Sequence, residues 1–139
     1  MANVDAGNRY SDELLTGIFE LGRMYYEMGY TLPAERIFRG LIAVDRGGRT
    51  PAALGLALLM LERGQYADSA MLFQQAAERG IEPIRAELGA CAALLADGHS
   101  AEAKRLLVQV GRSIEERPAE GDDLRRFWEA LALRVDRAD

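Results

Sequence analysis

An eleven-residue pattern occurs three times in this chain of 139 residues, and it constrains the fold more tightly than anything else in the sequence. The segments MGYTLPAERIF, RGQYADSAMLF and DGHSAEAKRLL align with glycine at 29, 64 and 98. The same offset brings Phe38, Phe73 and Leu107 into register, so the spacings are 35 and 34 residues. A period of that length marks a supersecondary unit that cannot bury its apolar face alone and stacks on copies of itself.

Each unit predicts two helices around a glycine-containing turn. Ser11 is the expected cap of a first helix over 11–28, whose stripe is Leu14, Leu15, Ile18, Leu21 and Tyr25. Gly29 ends it, and Pro33 suits the first turn of a second helix that carries Ala34, Ile37, Phe38, Leu41 and Ile42 inward. Thr50-Pro51 is read as a cap followed by proline at the first helical position. That unit turns at Gly64 and stops at Gly80, and the third runs from Pro83 through Gly98, with Ser100 as a cap. A polar linker over 118–123 leads to a last helix with Leu124, Phe127, Trp128, Leu131 and Val135 on one side. Repeat arrays need a terminal element over their last exposed face, which this helix would supply. The organisation expected is a flexible stretch over 1–10, repeats over 11–46, 50–80 and 83–117, and a capping helix over 120–137.

Composition narrows the function. Ala, Leu, Glu and Arg dominate and all favour helix, so the fold class is all-α. The formal net charge of −5 argues against nucleic acid or an anionic membrane as a partner. The longest apolar stretch, about 51–61, falls short of the roughly 20 residues that span a bilayer, and no apolar leader opens the chain. With Cys91 as the one cysteine, an intramolecular disulfide is excluded and a cytoplasmic location is expected. Neither metal nor other cofactor is expected, because His99 and Cys91 do not make a ligand set. His99 reads as a solvated turn residue and Cys91 as a small buried hydrophobe. The pairs Glu115-Glu116 and Asp122-Asp123 are explained as solvated charge and as complements to a helix N-terminus. No phosphate-binding glycine loop is present. No constellation suggests catalysis.

The recurring residues resemble the tetratricopeptide repeat, which has 34 residues. Leu21, Gly22, Tyr25, Ala34 and Phe38 fit its packing positions in the first unit, and Ala57, Met60, Tyr66, Phe73 and Ala76 in the second, where Ser69 replaces an alanine. The third unit is degenerate, with Cys91, Leu94, Ala103, Leu107 and Val110. The resemblance implies three helix-turn-helix repeats in a right-handed superhelix plus a capping helix. Within that superfamily, LGRMYYEMGYTLPAERIFRGLIAVD, RGQYADSAMLFQQAAERGIEP and ALLADGHSAEAKRLL look like the class II chaperones of bacterial type III secretion systems, which hold translocator proteins before export. Such chaperones carry a longer helical N-terminal extension used in dimerisation, whereas about ten residues precede the first helix here. Monomer and homodimer both stay open, and so do the smaller co-chaperones that hold needle subunits.

The resemblance also implies which side chains line the concave face. They are Thr16, Phe19, Arg23 and Tyr26 in the first unit, Pro51, Leu54, Leu58 and Leu61 in the second, and Arg85, Leu88, Ala92 and Leu95 in the third. Most are apolar, and a monomer rarely leaves a large contiguous apolar patch in water. The expected partner is therefore a protein offering an apolar extended or helical segment. A competing packing would place Leu54, Leu58 and Leu61 in a core. Co-chaperones that grip a C-terminal carboxylate carry lysine and asparagine where Phe19 and Arg23 stand, so that clamp is missing. Tyr25 is expected inside, Tyr26 in the groove and Trp128 as an anchor of the cap. The function expected is masking of a partner's apolar segment, with a scaffold or adaptor role as the alternative.

Overall fold

The computed structural model describes residues 9–116 and 122–138, so most of the expected flexible stretch over 1–10 and of the linker over 118–123 lies outside the described residues. The described residues form seven α-helices: α1 (Asp12–Glu27), α2 (Thr31–Val44), α3 (Ala52–Glu62), α4 (Tyr66–Glu78), α5 (Pro83–Ala96), α6 (Ser100–Glu116) and α7 (Asp122–Ala138). Consecutive helices pack as hairpins α1–α2, α3–α4 and α5–α6, and each hairpin stacks on the next, with α7 resting on both α5 and α6. The architecture is all-α and of the tetratricopeptide type.

Local chemistry sets the boundaries. The Ser11 hydroxyl accepts the Leu14 N–H at 3.1 Å, and Asp12 and Glu13 complement the positive end of α1. At the other end Gly29 N–H donates to the Tyr26 carbonyl and Tyr30 N–H to the Tyr25 carbonyl, the paired bonds of a Schellman stop. Gly29, Gly64 and Gly98 take φ of +86°, +81° and +82°, a left-handed conformation that any side chain would strain. Some expected ends are corrected. Pro33 lies in the first turn of α2, as its third residue, but Ser100 opens α6 instead of capping it.

Thr50 is not a cap either. Its N–H and hydroxyl donate to Asp45 Oδ2 at 2.7 and 2.9 Å, and the Arg49 N–H donates to Asp45 Oδ1 at 2.9 Å. The Arg49 guanidinium then reaches the Tyr10 carbonyl and Asp12, tying the α2–α3 loop to the start of α1. A buried carboxylate thus organises the loop, because three orphan donors there need an acceptor. Burial pushes the Asp45 pKa upward, but the bonds from Arg49 and Thr50 outweigh it and hold the carboxyl below its ordinary range.

Helices pack through aromatic rings seated on glycine. A Cβ at Gly22 or Gly55 would lie 2.9 or 2.8 Å from the Phe38 ring, and one at Gly89 would lie 2.4 Å from the Phe73 ring. Phe38 and Phe73 are each 2% exposed, so the rings cannot swing out of the way into solvent. Trp128 repeats the device on Gly111 and donates its Nε1–H to the Leu107 carbonyl at 2.7 Å, anchoring α7. Among the other residues of that helix Leu124, Leu131 and Val135 are buried, while Phe127 of the expected stripe is exposed. Cys91 is fully buried, and burial pushes its thiol up to about 12.

Two stability measurements test this account. Gly89→Ala should cost about 1–3 kcal/mol by overpacking. Gly40→Ala, where an added Cβ meets nothing within 4 Å, should gain about 0.5–1 kcal/mol. Urea denaturation reads both, and a stabilised Gly89→Ala protein would refute the ring-on-glycine account. For Asp45, a depressed folded pKa means its contribution is complete above the unfolded value and is lost as pH falls through the folded one. Asp45→Ala should therefore cost about 1–3 kcal/mol near neutrality, with the gap to the unsubstituted protein narrowing as pH falls below the carboxylate range. A gap constant down to strong acid would contradict it.

Candidate binding groove

A cleft of about 270 Å³ runs across α1, α3 and the start of α5. Its apolar floor is built from Phe19, Leu54 and Leu58, with Pro51, Gly55 and the edge of Phe38 completing the surface. Phe19 stacks at a tilt on Phe38 with ring centroids 5.8 Å apart, so the groove floor rests on the ring that joins the first two repeats. Gly55 keeps the floor low: any side chain there would collide with Phe38.

The rim is polar and already paired. The Arg23 guanidinium lies between Glu20 and Glu27, at 2.7 and 2.5 Å. Across the cleft, Arg85 pairs with Glu82 at 3.6 Å. Glu82 holds a left-handed φ of 40°, the one non-glycine residue with positive φ among those described, in the tight approach to Pro83. The Tyr26 hydroxyl donates to Glu62, spanning from α1 to the last residue of α3. Burial first, and then the Glu62 carboxylate, pushes the Tyr26 hydroxyl up to about 12, so it stays a donor at physiological pH.

The expected residues divide. Phe19, Arg23, Tyr26, Pro51, Leu54, Leu58 and Arg85 meet in this one cleft. Leu58 is 41% exposed, which places it on the surface instead of in a core, whereas Leu54 is only 4% exposed and offers just an edge. Leu61 and Leu95 are half-buried against Ala70, Ala93, Leu94 and Ala103, away from the cleft. Ala92 packs on the C-terminal core. Leu88 is corrected outright: it is fully buried, sharing a core with Leu131 and Val135 of α7. The terminal helix closes the third repeat, so the concave face is open only over the first two and the threshold of the third. Tyr25 is half-buried, meeting Tyr30 edge-on, rather than inside. Sequence reasoning did not identify Gly55, Glu27, Glu62 or Glu82. Gly55 carried a signal, since it stands 34 residues before Gly89, a repeat period inside an otherwise unbroken apolar helix.

This arrangement invites comparison with known folds. The crystal structure of the Yersinia enterocolitica type III secretion translocator chaperone SycD, in an alternative dimer, superposes with a TM-score of 0.70. The match covers 88% of this chain and 94% of that one, at 25% identity. The chain is similar to a translocator chaperone. No protein-family model and no curated protein matches the sequence. The likeness to SycD supports a chaperone role. Among the described residues no helix is long and apolar enough to cross a membrane.

Proposed function

We propose that the protein is a cytoplasmic, non-enzymatic chaperone that masks an apolar segment of a partner, a type III secretion translocator or needle component. The observation that carries the proposal is the apolar α1–α3 groove, open to solvent chiefly at Leu58, inside a fold shared with SycD. The paired rim explains the kind of segment. Arg23 and Arg85 are neutralised by their own carboxylates, so the groove selects by shape and apolarity rather than by charge. Covering a large apolar side chain stabilises a complex by roughly 1.5–3 kcal/mol before ordering costs, so two or three anchors suffice for useful affinity. Masking then follows from occupancy: the stretch that would drive the partner's aggregation or early assembly is held on Phe19, Leu54 and Leu58. The scaffold or adaptor reading uses the same groove, and differs in that its partner is soluble alone.

The test is co-expression with candidate partners from the same genome. The expected result is a partner that is soluble only with the chaperone, and whose capture falls at least tenfold with Leu58→Glu or Tyr26→Ala, a loss of about 1.4 kcal/mol or more. Folded variants that capture the partner undiminished would eliminate the groove. A partner equally soluble alone would favour the adaptor role.

A second surface supports self-association. Leu14, Leu21, Met24 and Met28 are 48, 46, 51 and 57% exposed along α1, and nothing lies within 4 Å of a Cβ added at Gly17. With Gly17 between Leu14 and Leu21 the spacing alternates three and four residues, the seam of paired helices, and the glycine permits close approach. A homodimer through this face should show about twice the 15.3 kDa chain mass in light scattering and revert to monomer in Leu21→Glu. A monomeric unsubstituted protein at tens of micromolar, a concentration matching an interaction of about 6 kcal/mol, would rule that dimer out.

A further inference from the structure

The α6–α7 end of the molecule carries a different kind of surface. A cleft of about 210 Å³ lies between these helices, floored by Val108, Gly111, Ile114 and the half-buried Trp128. Val108, itself 52% exposed, continues it into a shallow depression beside Lys104 and Arg105. None of these residues lines the groove across α1, α3 and α5. The volume is below the roughly 300–1,000 Å³ of small-molecule sites, so it suits one anchoring side chain of a longer ligand.

Charge distinguishes the two surfaces. The arginines of the groove are matched by carboxylates, Arg23 by Glu20 and Glu27 and Arg85 by Glu82. Arg112 and Arg125, on the rim of the α6–α7 cleft, make no ion pair among the described residues, and neither does neighbouring Arg105. In a chain with net charge −5, cations left unmatched around an apolar floor are complementary to an acidic partner. Glu115 and Glu129 stand in the same cleft, which disfavours a continuous polyphosphate and leaves room for carboxylates spaced between them. We infer that the α6–α7 cleft is a second docking site, for an acidic peptide segment of a partner protein that inserts one aromatic or aliphatic side chain between Val108 and Trp128.

The site is independent of the groove, and so is its test. A displayed library of random peptides is selected on the unsubstituted protein, on Leu58→Glu, and on the double variant Arg112→Glu/Arg125→Glu, with folding verified by circular dichroism. The first two should enrich peptides in which Asp or Glu flanks a large apolar residue. Those peptides should bind the double variant roughly tenfold or more weakly, Arg112→Gln/Arg125→Gln in between, and all more weakly at high salt. Selection without acidic enrichment, or selected peptides that bind the charge-reversed protein equally well, overturns the inference. So does displacement of the peptides by single-stranded DNA or phosphatidylserine vesicles with the same arginine dependence, which would mark a general polyanion surface.

Discussion

Everything in this molecule depends on how closely one repeat approaches the next, and that distance is set by aromatic rings lying on glycine. Phe38 reaches from α2 to Gly22 of its own hairpin and to Gly55 of the following one; Phe73 reaches from α4 to Gly89. Glycine weakens a helix interior by about 0.5–1 kcal/mol relative to alanine. Burying a phenylalanine face contributes about 1.5–3 kcal/mol, so the exchange is favourable wherever the ring actually covers the glycine. The geometric consequence matters as much as the energy. A ring on bare backbone brings two helices nearer than side chains packed against side chains would, and repeating that contact at each junction stacks the hairpins in register.

The groove inherits this constraint directly. Phe38 is at once the stacking ring between the first two repeats and part of the groove wall, with Phe19 leaning on it. The floor therefore cannot shift without disturbing the junction beneath it. For the proposed masking role this matters, because an interface floor with little freedom loses little entropy on binding. The Tyr26–Glu62 bond acts in the same direction by fixing α1 against the end of α3. Rim charges compensated within the chain leave the apolar floor as the feature that discriminates between ligands.

How much of this was legible in the sequence follows from which residues carry phase. The amphipathic helices α1, α2 and α6 announce their inner faces, and with the repeated turn glycines they gave the all-α architecture. The helices α3 and α5 are apolar on nearly every side, so periodicity cannot say which leucines face a core. Leu58 is open and Leu54 nearly closed although both stood at equivalent expected positions. Leu88 went wrong for a tertiary reason: a pattern taken from repeats does not know that α7 covers the last one. Thr50 went wrong for a local one, since a threonine before proline reads as a cap until Asp45 five residues earlier claims both its donors.

The closed third repeat also bears on what the groove can hold. With Leu88 withdrawn beneath α7, the exposed floor ends near Arg85, and the Arg85–Glu82 pair stands at that end like a polar stop. An apolar segment longer than the first two repeats would have to bring its next anchor over charged side chains, at a desolvation cost that apolar contact there could not offset. Under the proposed masking role, length selection would arise from the same helix that stabilises the array: the cap that protects the last core face also shortens the open groove. A chain with a fourth full repeat in place of α7 would gain trough and lose that limit.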